Sequence, residues 1–315
     1  MKIKIIVPCY NEEEVLQWAV ETLGTVIERI NTETGADADL LLVDDGSKDT
    51  TWNIIKDLSA KHSFVSGIKL AHNSGHQNAL WAGLEYSVDK CDAMVSIDAD
   101  LQDDENVIVD MVKQVQQGAD IVYGVRKERK TDSFFKRFTA QTFYKLMQSA
   151  DKDMLYNHAD FRMMSSRAVE ALLQYGERNL FLRGIVRKLG FNEGFVYYDR
   201  KARTAGESKY PLKKMLAFAL DGITSFSVKP IRLILNLGVV IFAVSVLILL
   251  YSLIRKLCGQ TVSGWTSLVC SIWALGGIQL LALGVIGEYI GKIYNETKRR
   301  PRYIIETVLD DEVKQ

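Results

Sequence analysis

The chain has 315 residues, about twice the usual length of one domain, with nearly half of them apolar and a quarter charged, the balance of a globular protein. Its 39 Lys and Arg match its 39 Asp and Glu, so no net charge draws it to nucleic acid. The charge is unevenly placed. Acids crowd the first half, at Glu12-Glu13-Glu14, Asp44-Asp45 and Asp98 to Glu105, and bases gather between Arg200 and Arg232 and from Lys292 to Arg302.

Lys2 to Val7 reads as structure from the start, with no signal peptide ahead of it. Strands are predicted at Ile3–Val7, Leu40–Val43, Val65–Leu70, Ala93–Ile97 and Asp120–Val125, with helical patterns at Glu12–Ile30, Thr50–Ala60, Ser74–Ser87 and Glu105–Gln117. Short apolar strands alternating with helices predict an α/β fold with a doubly wound, mostly parallel sheet. Ligands of such sheets sit at the carboxyl ends of the strands, and four polar clusters fall there. The four cysteines, Cys9, Cys91, Cys258 and Cys270, form no C-x-x-C pair and read as reduced structural thiols.

The first cluster is Pro8-Cys9-Tyr10-Asn11-Glu12-Glu13. Tyr10 could stack on a nucleobase and Glu12 could reach a ribose; Asn11 equally suits a helix cap followed by acids in the first turn. No G-x-G-x-x-G lies at this turn, which argues against a dehydrogenase. The second is Asp44-Asp45-Gly46-Ser47-Lys48-Asp49-Thr50. Gly46 and Ser47 suit a tight turn and Asp49 or Thr50 an N-cap, while Asp44 and Asp45 exceed what a turn needs. The third, His72 to Asn78, opens a helix; His76 reads as a solvated loop histidine and stays outside the candidate set. The fourth is Asp98-Ala99-Asp100-Leu101-Gln102. Two carboxylates one residue apart can both reach one hard cation, Mg²⁺ or Mn²⁺, and Gln102 can add a neutral oxygen.

Lys209 to Phe226 carries apolar residues at three- and four-residue spacing, with Lys209, Lys213 and Lys214 near its start, as in an interfacial amphipathic helix. Leu233 to Leu253 is a charge-free apolar run that spans about 31 Å as a helix, close to a bilayer core. Val262 to Gly287 is a second charge-free run, with its helix expected at about 265–287. Cations flank the pair on both outer sides, whereas the linker carries only Arg255 and Lys256. The positive-inside rule then predicts a hairpin in the inner (plasma) membrane with both termini in the cytosol. Gly287 and Gly291 form a G-x-x-x-G spacing compatible with a homo-oligomer. The expected organisation is a catalytic domain over 1–208, an interfacial helix over 209–230, two membrane helices within 231–291 and a cytosolic tail over 292–315.

Val-Pro-Cys-Tyr-Asn-Glu-Glu, Val-Asp-Asp-Gly-Ser-Lys-Asp-Thr and Asp-Ala-Asp-Leu-Gln-Asp, in this order over the first 130 residues, resemble family 2 glycosyltransferases of the GT-A (Rossmann-like) fold. With Arg203 to Tyr210 and the two runs after it, the chain is similar to bacterial polyprenyl-phosphate glycosyltransferases such as bactoprenol glucosyltransferase, to which dolichol-phosphate mannose synthases are related. The resemblance implies that Pro8, Tyr10, Glu12 and Asp45 hold the nucleoside of a nucleotide-sugar donor. It implies that Asp98, Asp100 and Gln102 hold the metal against the donor diphosphate, and that Asp160 is the catalytic aspartate. Arg126, Arg200 and Lys209 are candidate phosphate contacts. The implied reaction is inverting transfer of a hexose, from UDP-glucose in preference to GDP-mannose, to a polyprenyl phosphate. The Q-x-x-R-W motif of processive members is missing. A non-catalytic membrane scaffold is the alternative from another class, against which the intact Asp98, Asp100 and Asp160 argue. A lipid phosphate has a second pKa of about 6, so it arrives ionised and leaves Asp160 to orient rather than to remove a proton.

Overall fold

The computed structural model describes residues 1–127, 158–177, 182–199 and 264–310, with isolated positions between 231 and 254. The chain divides into two compact units: the first takes residues 1–144, 153–210 and 300–315, the second 145–152 and 211–299.

The first unit is built on one sheet. In chain order it has β1 (Lys2–Cys9), α1 (Leu16–Thr34), β2 (Asp37–Asp44), α2 (Thr51–Lys61), β3 (Val65–Leu70), α3 (His76–Ser87), β4 (Ala93–Ser96), α4 (Ile108–Gln116) and β5 (Ile121–Arg126). There follow β6 (His158–Ser165), α5 (Ser166–Leu173), α6 (Leu182–Lys188), β7 (Glu193–Tyr198) and, after the second unit, β8 (Ile305–Leu309). The strand order is β7-β5-β6-β4-β1-β2-β3-β8. Strands β1, β2, β3 and β4 are parallel neighbours, as are β5 and β7; β6 is antiparallel to β4 and β5, and β8 to β3. The sheet is therefore mostly parallel, as the alternation of elements implied, with two antiparallel strands that it did not foretell.

Strand β1 is buried on both faces from Ile3 onward, which explains its continuous apolar run. Helix α1 buries Leu16, Ala19, Val20, Leu23, Val26, Ile27 and Ile30, one stripe at helical period, and ends at Gly35 in the left-handed conformation (φ 67°). Its start differs from expectation. Asn11 is not its cap: the helix begins at Leu16, and Asn11, itself at φ 52°, turns its side chain to the neighbouring loop. Helix α3 lies very close to the sheet at Gly83, where an added Cβ would come within 2.5 Å of Ile6 Cγ2 and 3.1 Å of Val43 Cγ2. Gly83→Val is expected to lower stability by about 1–3 kcal/mol through overpacking, read as a fall in the urea midpoint without a change of slope.

In the second unit, α7 (Trp265–Lys298) runs on past the expected end of its charge-free stretch. Leu268, Ile272, Leu280, Leu283, Ile290 and Ile293 are exposed along it. Of the expected first span, described positions such as 234, 240, 244, 247 and 251 are helical, with Val240, Val244, Leu247 and Tyr251 exposed at three- and four-residue spacing. Among the described residues, no helix is long and apolar enough to cross a membrane. The expected interfacial helix, with Lys209, lies outside the described residues.

Candidate functional site

The loops at the carboxyl edge of the sheet are tied to one another in sequence. The Asn11 N–H donates to Ser47 Oγ at 3.0 Å, and the Lys48 N–H donates to Asn11 Oδ1 at 2.9 Å. The Glu12 N–H donates to Thr51 Oγ1 at 2.9 Å, and Thr50 donates its N–H and hydroxyl to Glu13. The β1 loop thus clamps the β2 loop. Pro8 is buried at the end of β1, Tyr10 is exposed, and Glu12 is half-buried.

Asp45 carries the tie onward. It is 2 % exposed, and its two oxygens accept the Ser74 N–H at 2.7 Å and the Gly75 N–H at 2.9 Å. Burial raises its carboxyl above the usual range, against the pull of these two N–H groups. Asp45 therefore holds the loop before α3. Gly46 supports the same contact. It sits at φ 65°, and a Cβ there would meet His72 C at 2.5 Å and Asn73 N at 2.7 Å. Both obstacles are backbone, and the left-handed conformation adds about 1–2 kcal/mol for a non-glycine residue. Gly46→Ala is expected to push the β3–α3 loop off Asp45, lowering stability by about 2 kcal/mol or more and weakening donor binding; thermal unfolding and a donor titration read the two effects.

That loop ends at His76, whose Nε2 lies 3.6 Å from Asp98 Oδ1. Asp98 follows β4, and Leu101, buried at φ 41°, turns the chain behind it. Strand β6 runs antiparallel beside β4 with Ser96 opposite Arg162. Two residues further, that register brings Asp98 level with Asp160, and the Ser96 hydroxyl donates to the Asp160 carbonyl. Surrounding protein, and then Asp160, Asp103 and Asp100, hold the Asp98 carboxyl above the usual range, with His76 opposing. The side chain keeps half of its exposure, so the neighbouring carboxylates are the firmer cause.

Asp160 is oppositely placed in charge. Arg183, from α6, grips it with two parallel bonds, Nε to Oδ1 at 3.0 Å and Nη2 to Oδ2 at 2.9 Å. Arg162, 1 % exposed, adds Nη2 to Oδ1 at 3.3 Å. Burial would raise this carboxyl, but Arg183 and then Arg162 outweigh it and hold it well below the usual carboxylate range. Asp160 is a fixed anion.

Of the expected phosphate contacts, Arg126 is bound to a carboxylate instead: its Nε and Nη2 reach Asp103 Oδ1 at 2.9 and 2.7 Å. Arg200 and Lys209 lie outside the described residues. Asp98, Asp100 and Asp160 do come together at one edge; Gln102 is buried beside them, its N–H on Asp100 Oδ1 at 3.4 Å. Among the described residues, no three His, Cys, Asp or Glu side chains converge to hold a metal by themselves. His76, which the sequence reads as solvated, stands beside Asp98, and Arg162 and Arg183 were not among the expected site residues. Arg162 had a signal: two residues after Asp160 in a strand, it shares that residue's face.

The sequence profile of glycosyl transferase family 2 matches residues 4–173. The chain belongs to this family. Glycosyltransferase YkoT of Bacillus subtilis (strain 168), itself described as uncharacterised, is 53% identical over 98% of this chain and 93% of its own length. The bactoprenol glucosyl transferase of Shigella phage SfX is 40% identical over 98% of this chain and 99% of its own. The prophage bactoprenol glucosyl transferase homolog of Escherichia coli (strain K12) is 39% identical over the same shares. Among solved structures, glucosyl-3-phosphoglycerate synthase from Mycobacterium tuberculosis matches at 18% identity and a TM-score of 0.45, over 71% of this chain and 77% of that one, a likeness too slight to inform the site. The chain is thus a glycosyltransferase of α/β architecture, as its motifs implied.

Proposed function

We propose that this glycosyltransferase moves a hexose from a nucleotide-sugar, UDP-glucose by preference, to a polyprenyl phosphate at the cytosolic face of the inner membrane, inverting the sugar carbon. The observation that carries the reading is Asp160, fixed as an anion by Arg183 and Arg162 and level with Asp98 at the ligand edge of the sheet. The relatives named bactoprenol glucosyl transferase, similar over nearly the full chain, favour glucose and a lipid phosphate. The exposed apolar side chains of α7, on a stretch without charge from residue 265 to 287, favour attachment to a bilayer.

The donor set fits Mg²⁺ or Mn²⁺. Asp98 and Asp100 offer hard oxygens in a cluster of carboxylates whose mutual repulsion a cation would relieve. With two protein carboxylates rather than a closed cage, the remaining positions would fall to water and the donor diphosphate, the habit of Mg²⁺ sites. When bound, the cation would offset charge on the leaving diphosphate. Tyr10 and Glu12 flank the nucleoside side of the edge, and Asp45 serves it indirectly, by holding the β3–α3 loop. Asp160 orients the reacting groups. It cannot act as a strong base, because its own charge is stabilised by two guanidinium groups, and the acceptor phosphate needs none.

Purified full-length protein in detergent, given Mg²⁺ or Mn²⁺, polyprenyl phosphate and a panel of nucleotide-sugars, tests this. Lipid-linked glucose formed from UDP-glucose and lost with EDTA is the expected result. Mannosyl product from GDP-mannose would move the reading to mannose transfer. No transfer from any donor would overturn it in favour of a scaffold with a relic domain.

A further inference from the structure

Chain leaving α7 returns at once to the first unit, and its first residues make a knot there. The Arg302 guanidinium stacks over the Trp81 ring of α3 at 3.8 Å. Its Nη2 donates to the carbonyls of Tyr175 at 2.7 Å and Glu177 at 2.8 Å, in the segment that follows α5. Beside it, the Tyr303 hydroxyl donates to Glu85 Oε2 at 2.6 Å, the oxygen that also accepts Trp81 Nε1–H at 3.2 Å. One arginine thus joins the middle of α3 to the segment leading toward α6.

The amino ends of those two helices carry site residues. His76 opens α3 beside Asp98, and Arg183 is the second residue of α6, gripping Asp160. The two ends are also joined directly, by the Leu182 N–H donating to Gln77 Oε1 at 3.2 Å. That neutral bond adds about 1 kcal/mol to the apolar packing of each helix. Arg302 closes the other side of the same frame with charge-assisted bonds, roughly twice as strong as neutral ones, and adds a cation–π contact.

We propose that Arg302 is a positioning residue for glycosyl transfer. It ties α3 to Tyr175 and Glu177, in the segment after α5, so that His76 and Arg183 keep their places around Asp98 and Asp160. The bland alternative is that Arg302 merely anchors the edge strand β8. Lys69 and Glu306 do that too, pairing β3 with β8 at 2.8 Å, and so provide a control.

The kinetic half of the proposal rests on the transfer reading above; the dynamic half does not. In full-length protein in detergent, Arg302→Lys keeps the charge but loses the planar fork. It is expected to speed amide exchange about tenfold at residues 76–80 and 182–186, with β1 and β2 unchanged. It should lower kcat about tenfold, with the donor KM within about twofold. Tyr303→Phe should show the same pattern more weakly, and Glu306→Gln neither effect. Exchange changes confined to residues 300–310, or equal losses in Glu306→Gln, would overturn the proposal. If the wild-type protein transfers no sugar, the transfer reading fails while the exchange measurement still decides this one.

Discussion

Asp160→Asn is expected to lower transfer by more than about 10⁴-fold, beyond the loss typical of a general base, and to destabilise the fold by about 3–5 kcal/mol. Both effects have one origin. Arg162 is 1 % exposed, its Nε and Nη1 have no hydrogen-bond partner among the described residues, and Asp160 is its ion-pair partner. An amide cannot offset that charge, so the substitution strands a buried guanidinium beside a second one, Arg183. The same two cations would then face Asp98 without the anion that separates them, and the acidic edge would lose its geometry. Stability and chemistry can be told apart. Asp160→Asn combined with Arg162→Met removes the buried charge together with its partner. The pair should recover much of the lost stability in urea unfolding and none of the transfer rate at saturating substrates. If Asp160→Asn alone keeps transfer within about 10²-fold, Asp160 does not orient the reacting groups.

Much of this arrangement could be read before any coordinates. The parallel half of the sheet followed from apolar runs such as Ile3–Val7, because strands covered on both faces leave a continuous hydrophobic signature. The site edge followed from where those runs stopped. What escaped was made by distant partners. Strand β6 brings Asp160 level with Asp98 by antiparallel pairing across more than sixty residues, and no local pattern announces a pairing of that reach. Strand β8, only five residues long and following a long apolar helix, read as tail because its edge position asks little of its sequence. Asp45 offered itself as a ligand because two adjacent carboxylates exceed the needs of a turn; each of its oxygens also accepts an N–H, from Ser74 and Gly75, about thirty residues away. His76 looked solvated for the same reason: Asp98, 3.6 Å away, is brought near only by the fold.

Asp98→Asn should act on stability and function in opposite directions. The Asp98 carboxyl stands among Asp100, Asp103 and Asp160, and it is held above the usual carboxylate range by the surrounding protein and these neighbours. Asp103 has Arg126, and Asp160 has Arg183 and Arg162, whereas Asp98 faces His76 at 3.6 Å. Removing its charge therefore relieves repulsion. Because the side chain is half exposed, solvent screens much of that gain, leaving about 0.5–1 kcal/mol, or a rise in Tm of about 1–3 °C with EDTA present. Transfer should nonetheless fall by about 10³-fold or more, since one of the two carboxylates offered to the cation is gone. Adding Mg²⁺ or Mn²⁺ at a hundred times its Kd should stabilise the wild-type protein by about 2.7 kcal/mol and leave Asp98→Asn unmoved. A variant that is less stable without metal, or that still gains stability from it, would place the cation away from Asp98 and return this carboxylate to a structural part.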